Sequence, residues 1–283
     1  MIKVGFIDYY LDEWHANTAP AHLLEQSNGE VKPCYAYGEI ANPVNGTTSE
    51  AWCEKMGVEL CSSIAEVIEK SDVIMVFAPD NCERKEDLAR EALASGKPCF
   101  VDKPFGTDLA SAKRMFAIAE ENGTPCYTCS ALRYAQEYYT VDRKAVKSLV
   151  AMCPQNSYDN YILHALEPAM MIMGENAKRA SAVCTEDAFY SVTIEMESGR
   201  HIVISSLNYD SPYMMNICIP TANQLIDCSY DFWIYHYKTM IEFFKTGVEP
   251  VSHKETLQIA AAREAGKKSM ALGGEWVAVD NNY

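Results

Sequence analysis

The 283-residue sequence contains no apolar run of the ~18 to 20 residues that a membrane-spanning helix needs. Positive charge is also scarce: 24 Lys and Arg stand against 39 Asp and Glu, a net charge of -15. Nucleic acids and anionic membranes are bound through clustered cations that displace counterions, so neither is an expected partner, and the acidity serves solubility. No export segment precedes the first strand pattern, which starts directly after Met1, and the reading therefore places the protein in the cytoplasm. In that compartment the 11 cysteines are expected as reduced thiols, not as a disulfide framework. Cys34, Cys99, Cys126, Cys153 and Cys218 sit in apolar runs, where a thiol behaves as a small hydrophobe. Cys126-Tyr127-Thr128-Cys129 has the spacing of a redox or zinc motif, but it lacks a second ligand pair and the helix start that lowers a thiol pKa. No metal is expected.

A further absence is local. The segment Lys3-Val4-Gly5-Phe6-Ile7 opens like the first strand of a dinucleotide-binding unit. In such a unit a G-x-G-x-x-G turn follows and lets free backbone N–H groups at a helix N-terminus close on a pyrophosphate. Here the three glycine positions hold Asp8, Tyr10 and Glu13. Two carboxylates would face an anionic ligand, and Tyr10 would fill the space of its phosphates. The fold signal and the ligand signal disagree at this turn.

What is present is strong secondary-structure patterning. Strand-like stretches at 3–7, 31–37, 72–78 and 99–102 alternate with helical stretches at 14–26, 48–56, 64–70, 84–94 and 109–122. Such alternation builds a doubly wound parallel sheet covered by helices, so residues 1–125 are expected to form a Rossmann-like α/β domain. Beyond Pro125 the pattern changes. A strand at 126–131 and a helical stretch at 137–149 lead into alternating runs at 188–195, 200–207, 213–219 and 224–229, and helices at 232–245 and 254–272 close the chain. Residues 126–283 are thus expected as an α+β domain on an open, mainly antiparallel sheet. An uncovered sheet face calls for a partner, so a homo-oligomer, dimer or tetramer, is expected. The aromatic cluster at 230–237, with Phe232, Trp233 and His236, is expected as helix core or subunit interface.

The most pointed local feature is Gly96-Lys97-Pro98-Cys99-Phe100-Val101-Asp102-Lys103-Pro104-Phe105. Ligands of open α/β sheets bind beyond the carboxyl ends of the strands, which is where Lys103 falls; otherwise it is a solvated charge. This flank resembles the glucose-fructose oxidoreductase and inositol dehydrogenase family, whose members carry an acid-Lys-Pro motif at this point. The likeness extends to the first strand (Gly5 to Ile7), the apolar strand ending at Pro79, the helix at 107–123 and the turn containing Gly247 and Pro250. It implies an NAD or NADP cofactor passing Ile7, Asp8, Tyr9, Tyr10, Ala78 and Pro79, with Lys103 placing nicotinamide and substrate. An acid after the second strand normally holds the ribose hydroxyls, and Glu39 is the residue in that position, or else an exposed loop acid.

The resemblance also implies a histidine on a helix of the second domain as acid/base for a substrate hydroxyl. The matching segment is Tyr158-Asp159-Asn160-Tyr161-Ile162-Leu163-His164-Ala165-Leu166-Glu167. His164 keeps the histidine and Glu167 an acid, while Asn160 stands where the family has aspartate. Residues four apart share a helix face, so Asn160 and His164 can meet one substrate. Imidazole suits the role because it titrates near neutrality. Arg133 resembles the arginine that the family places after the strand entering its second domain, as a substrate contact or a structural ion pair. The resulting expectation is a hydride-transferring enzyme for a sugar, polyol or related small molecule. Two alternatives stand beside it: a family fold that has lost dinucleotide binding and serves as partner subunit or ligand sensor, and a site used for non-redox acid/base chemistry.

Overall fold

The structure, a computed structural model, describes residues 1–228 and 232–283. Two compact units are present, Met1–Thr128 with His236–His253, and Cys129–Tyr235 with Lys254–Tyr283. The first contains β1 (Ile2–Asp8), α1 (Trp14–Gln26), β2 (Val31–Gly38), α2 (Ser49–Met56), β3 (Glu59–Leu60), α3 (Ile64–Lys70), β4 (Val73–Val76), α4 (Cys82–Leu93), β5 (Cys99–Val101), α5 (Leu109–Glu121) and β6 (Cys126–Tyr127). All neighbouring strands pair in parallel, in the order β3-β2-β1-β4-β5-β6. This is the doubly wound sheet that the alternating pattern implied, and its strand order reverses between β1 and β4.

Local chemistry fixes these elements. Side-chain oxygens of Thr48, Ser63 and Asp108 accept N–H bonds at the starts of α2, α3 and α5, and Gly57 ends α2 in the left-handed conformation. Val4, Phe6 and Ile7 of β1 and Ile74 and Val76 of β4 are wholly buried, as central parallel strands require. Gly5 is tightly packed. A Cβ there would meet Val67 of α3 and Ser71 just beyond its end well inside contact distance.

In the second unit two short 3-10 turns, Ala131–Tyr134 and Gln136–Thr140, precede β7 (Ser148–Pro154), α6 (Tyr158–Tyr161), α7 (Leu163–Met173), β8 (Ala177–Cys184), β9 (Tyr190–Met196), β10 (His201–Leu207), β11 (Met214–Ile219) and β12 (Ala222–Asp227). Helices α8 (Phe232–Thr246) and α9 (His253–Ala271) and strand β13 (Val277–Ala278) complete the chain. The sheet runs β12-β11-β7-β10-β9-β8-β13, antiparallel except for β7 beside β10. The mainly antiparallel sheet is as expected.

The helical stretch at 137–149 is not: a 3-10 turn occupies its start and β7 takes over at Ser148. Leu149, Ala151 and Cys153 alternate inward while Val150 faces out, a period of two that the preceding polar residues obscured. Strand β8 was not anticipated either, because its inward positions Ala177, Ala180 and Ala182 carry little hydrophobic contrast. The end of the strand expected at 224–229 and the start of the aromatic cluster at 230–237 fall on residues 229–231, outside the described residues. Among the described residues no helix is long and apolar enough to cross a membrane.

Candidate functional site

The carboxyl ends of β1 and β4 bring together most of the residues singled out for a cofactor. Ile7 is wholly buried, and its carbonyl accepts the N–H of Phe77 at 2.9 Å. Asp8 follows, only 1% exposed. Its Oδ1 accepts N–H bonds from Tyr9 (2.7 Å) and from Ala78 (2.9 Å), the latter held at φ 62°. Its Oδ2 is buried with no hydrogen-bond partner among the described residues. Burial first, and the neighbouring charge of Glu13 second, push the Asp8 pKa well above the usual carboxylate range, against the two N–H donors. The Tyr9 and Tyr10 rings lie 6.1 Å apart in the same turn, and Pro79 is buried beside Ala78.

Glu13 explains how this turn works without glycines. It is the N-cap of α1, and its carboxylate accepts the N–H of His15 at 2.7 Å and that of Ala16. His15 Nδ1 lies 3.2 Å from the same group. The N–H groups that a pyrophosphate would use at this helix start are therefore taken by the chain's own carboxylate. With a buried acid beside it, the α1 N-terminus does not fit a pyrophosphate in its usual seat. Glu39, at the end of β2, is likewise engaged: Arg84 holds its carboxylate through two nitrogens at 2.8 and 3.2 Å.

At the end of β5, Asp102 and Lys103 are each 5% exposed, and the Lys103–Pro104 peptide is cis. Beneath them lies a residue that the sequence reading missed. Lys85 of α4 is wholly buried, and its Nζ donates to the carbonyls of Asp102 (2.8 Å) and Lys103 (2.9 Å). Within Cys82-Glu83-Arg84-Lys85 it looks like one more solvated charge. Its spacing to Leu88, Ala89 and Ala92 nevertheless puts it on the apolar face of α4, and that was the available signal. Burial lowers the Lys85 pKa. For Asp102, burial opposes ionisation, but His15, Lys85 and Lys103 outweigh it and hold the carboxyl below its ordinary range.

In the second unit, His164 is half-buried on α7, with Nδ1 2.8 Å from Ser130 Oγ. Tyr161 and Tyr213 flank the ring edge-on at 5.5 and 5.4 Å. Helices α6 and α7 are joined through Ile162 in helical conformation, so the four-residue relation between buried Asn160 and His164 carries across the junction. Glu167 lies one turn on, buried, and accepts the Ser130 N–H at 2.6 Å and Arg133 Nη1 at 3.0 Å. Arg133 is also paired with Glu255. Burial is the main influence on Glu167 and raises its pKa to about 7, although Arg133 and the Ser130 N–H act against it. Arg133, Ser130, Glu167 and His164 thus form one connected group. Ser130 is its member without a signal in the sequence.

Residues 32–129 match the sequence model of the family described as "Oxidoreductase family, NAD-binding Rossmann fold". A protein of Escherichia coli (strain K12) named uncharacterized oxidoreductase YhhX is 31% identical over 91 residues, 32% of this chain and 26% of that protein. An inositol 2-dehydrogenase of Cereibacter sphaeroides is 29% identical over 92 residues, 32% of this chain and 27% of the dehydrogenase. These matches span about a quarter of the length of the curated relatives. Among solved structures, GenD2 from gentamicin A biosynthesis in complex with NAD superposes with a TM-score of 0.81 at 13% identity, covering 99% of this chain and 96% of that one. At that identity the likeness shows the shared fold.

Proposed function

We propose that this chain, whose residues 32–129 match an NAD-binding Rossmann family model, is a member of the glucose-fructose oxidoreductase and inositol dehydrogenase family and an oxidoreductase acting on a hydroxyl-bearing carbon of a sugar, polyol or related small molecule. A nicotinamide cofactor, NAD or NADP, would supply the hydride chemistry. The observation that carries the reading is the 2.8 Å contact of Ser130 Oγ with His164 Nδ1. A hydrogen bond at one ring nitrogen fixes the tautomer and orientation of the imidazole, which a proton-transfer residue requires. His164 takes the hydroxyl proton in oxidation and returns it in reduction. Glu167 holds the Ser130 backbone, and Arg133, itself paired with Glu255, holds Glu167, so the ring's support is braced by a buried ion pair. Asn160 orients a substrate hydroxyl through its amide, and Lys103 of the first unit is assigned to the nicotinamide.

No phosphate is assigned to the α1 N-terminus, because Glu13 occupies those N–H groups. The same observation favours a second reading, a family fold without dinucleotide that serves as partner subunit or ligand sensor. Titration with NADH and NADPH, followed by nicotinamide fluorescence, separates the two. Saturable binding of either, with polyol- or sugar-dependent turnover that His164→Gln lowers ~10²- to 10⁴-fold, is the expected result. Failure of both cofactors to bind moves the conclusion to the second reading. A homo-oligomer, dimer or tetramer, is part of the proposal, supported by exposed apolar residues on the second unit's strands, among them Val150 at 45% and Leu225 at 61%.

A further inference from the structure

Within the first unit, three metal-binding side chains that the proposed reaction does not use come together from distant parts of the sequence. Cys126 opens β6, Glu249 lies in the segment between α8 and α9, and His253 is the first residue of α9. Cys126 Sγ is 3.7 Å from His253 Nε2, which is 3.2 Å from Glu249 Oε1. All three donor atoms lie within 4.8 Å of one another. Around a tetrahedral zinc ion, with bonds of about 2.0 to 2.1 Å to nitrogen and oxygen and about 2.3 Å to sulfur, neighbouring N and O donors stand about 3.3 Å apart and N and S donors about 3.6 Å. The two distances match these edges to about 0.1 Å.

We propose that Cys126, Glu249 and His253 form a binding site for one zinc-class divalent cation, with the fourth position open to water.

The surroundings support a ligand role for the histidine. Its other nitrogen, Nδ1, lies 2.9 Å from Glu120 Oε1, the carboxylate–imidazole arrangement that orients a metal-bound ring. The ring also stacks on Phe116, with centroids 3.9 Å apart and planes at 22°, which fixes its tilt. The Cys126 N–H donates to Glu249 Oε1 at 2.8 Å, so the carboxylate is already fastened beside the thiol. Cys126 is buried while Glu249 and His253 are half-buried, which leaves the open position toward solvent. A thiolate with an imidazole and a carboxylate selects zinc over magnesium or calcium, which take oxygen ligands. Without the ion, His253 Nε2 faces the Cys126 carbonyl at 3.2 Å and Glu249; binding displaces the proton on Nε2 and the thiol proton, both released to solvent. The sequence hid this because two of the ligands lie more than 120 residues from Cys126, while Cys129, its partner in the Cys-x-x-Cys spacing, faces the Tyr134 hydroxyl at 3.9 Å.

The test uses the full chain stripped with a chelator, titrated with Zn²⁺ against a chromophoric chelator and with Co²⁺ by absorption. One ion per chain is expected, with a thiolate-to-cobalt charge-transfer band in the near ultraviolet. Cys126→Ser removes that band. Glu249→Gln, which keeps an acceptor for the Cys126 N–H and so preserves the fold, weakens zinc at least tenfold. Glu120→Gln weakens it about 10- to 100-fold, an effect that a merely structural carboxylate would not produce. Cys184→Ser, at an exposed thiol, changes nothing. Absence of the cobalt–thiolate band, or zinc uptake that Glu249→Gln and Cys126→Ser leave intact, overturns the assignment.

Discussion

Replacing Glu13 by Ala tests whether the first turn excludes a dinucleotide through the chain's own carboxylate, because stability and ligand affinity must then move in opposite directions. Glu13 caps α1 through the N–H groups of His15 and Ala16, and it is 7% exposed. Losing such a cap costs about 0.5 to 2 kcal/mol. Losing a negative charge from a helix start costs about 0.3 to 1 kcal/mol more. At roughly 2 to 4 °C per kcal/mol for a unit of this size, Tm of the first unit falls by about 2 to 12 °C. The same change frees the N–H groups and removes an anion whose repulsion of a phosphate ~5 Å away, at an effective dielectric of ~20, is about 3 kcal/mol. Affinity for NADH is expected to rise roughly 5- to 150-fold, the upper figure being that full repulsion. Glu13→Gln, which keeps an oxygen acceptor and drops the charge, should retain most of the Tm and a smaller share of the affinity gain. Thermal unfolding and fluorescence titration of the three proteins give the answer. A lower Tm with unchanged or weaker NADH binding in Glu13→Ala would refute the idea that this carboxylate closes the seat.

Two further outcomes follow from buried groups elsewhere. Glu167, buried and with its pKa raised from 4.5 to about 7, binds its proton more tightly in the folded chain than in the unfolded one. Its favourable contribution is complete below pH ~4.5 and is lost as pH climbs to ~7, about 3 kcal/mol at 1.36 kcal/mol per pH unit. Denaturant titrations should therefore show a shallower fall in stability over that window for Glu167→Gln, and equal slopes would count against the burial argument. Gly5→Ala forces a methyl against Val67 and Ser71 and is expected to cost about 1 to 3 kcal/mol, read as a lower midpoint in urea. An unchanged midpoint would mean that α3 does not press on β1 as closely as described.

What the sequence made legible follows from how far each signal reaches. The Rossmann half was readable because its parallel strands are short apolar runs and its helices carry their own caps and stops, so each element is specified within a dozen residues. Strands β7 and β8 were not, since Ser148 to Pro154 inherits no local boundary and the alternation of β8 rests on alanines. At the sites the same division holds. His164, Glu167 and Lys103 stood out through motif position, whereas Ser130 and Lys85 act through contacts 34 and 17 or 18 residues away, and a serine or a helical lysine carries no mark of such a contact. The first turn is the instructive case. The missing glycines were visible as a conflict between fold and ligand, but not their resolution, because an acid at position 13 reads equally as an obstacle in a loop or as a helix cap. Only the backbone decides. Once Glu13 is the N-cap, the helix start that the fold would lend to a phosphate is already neutralised from within, and a chain can keep this sheet while changing what it binds there.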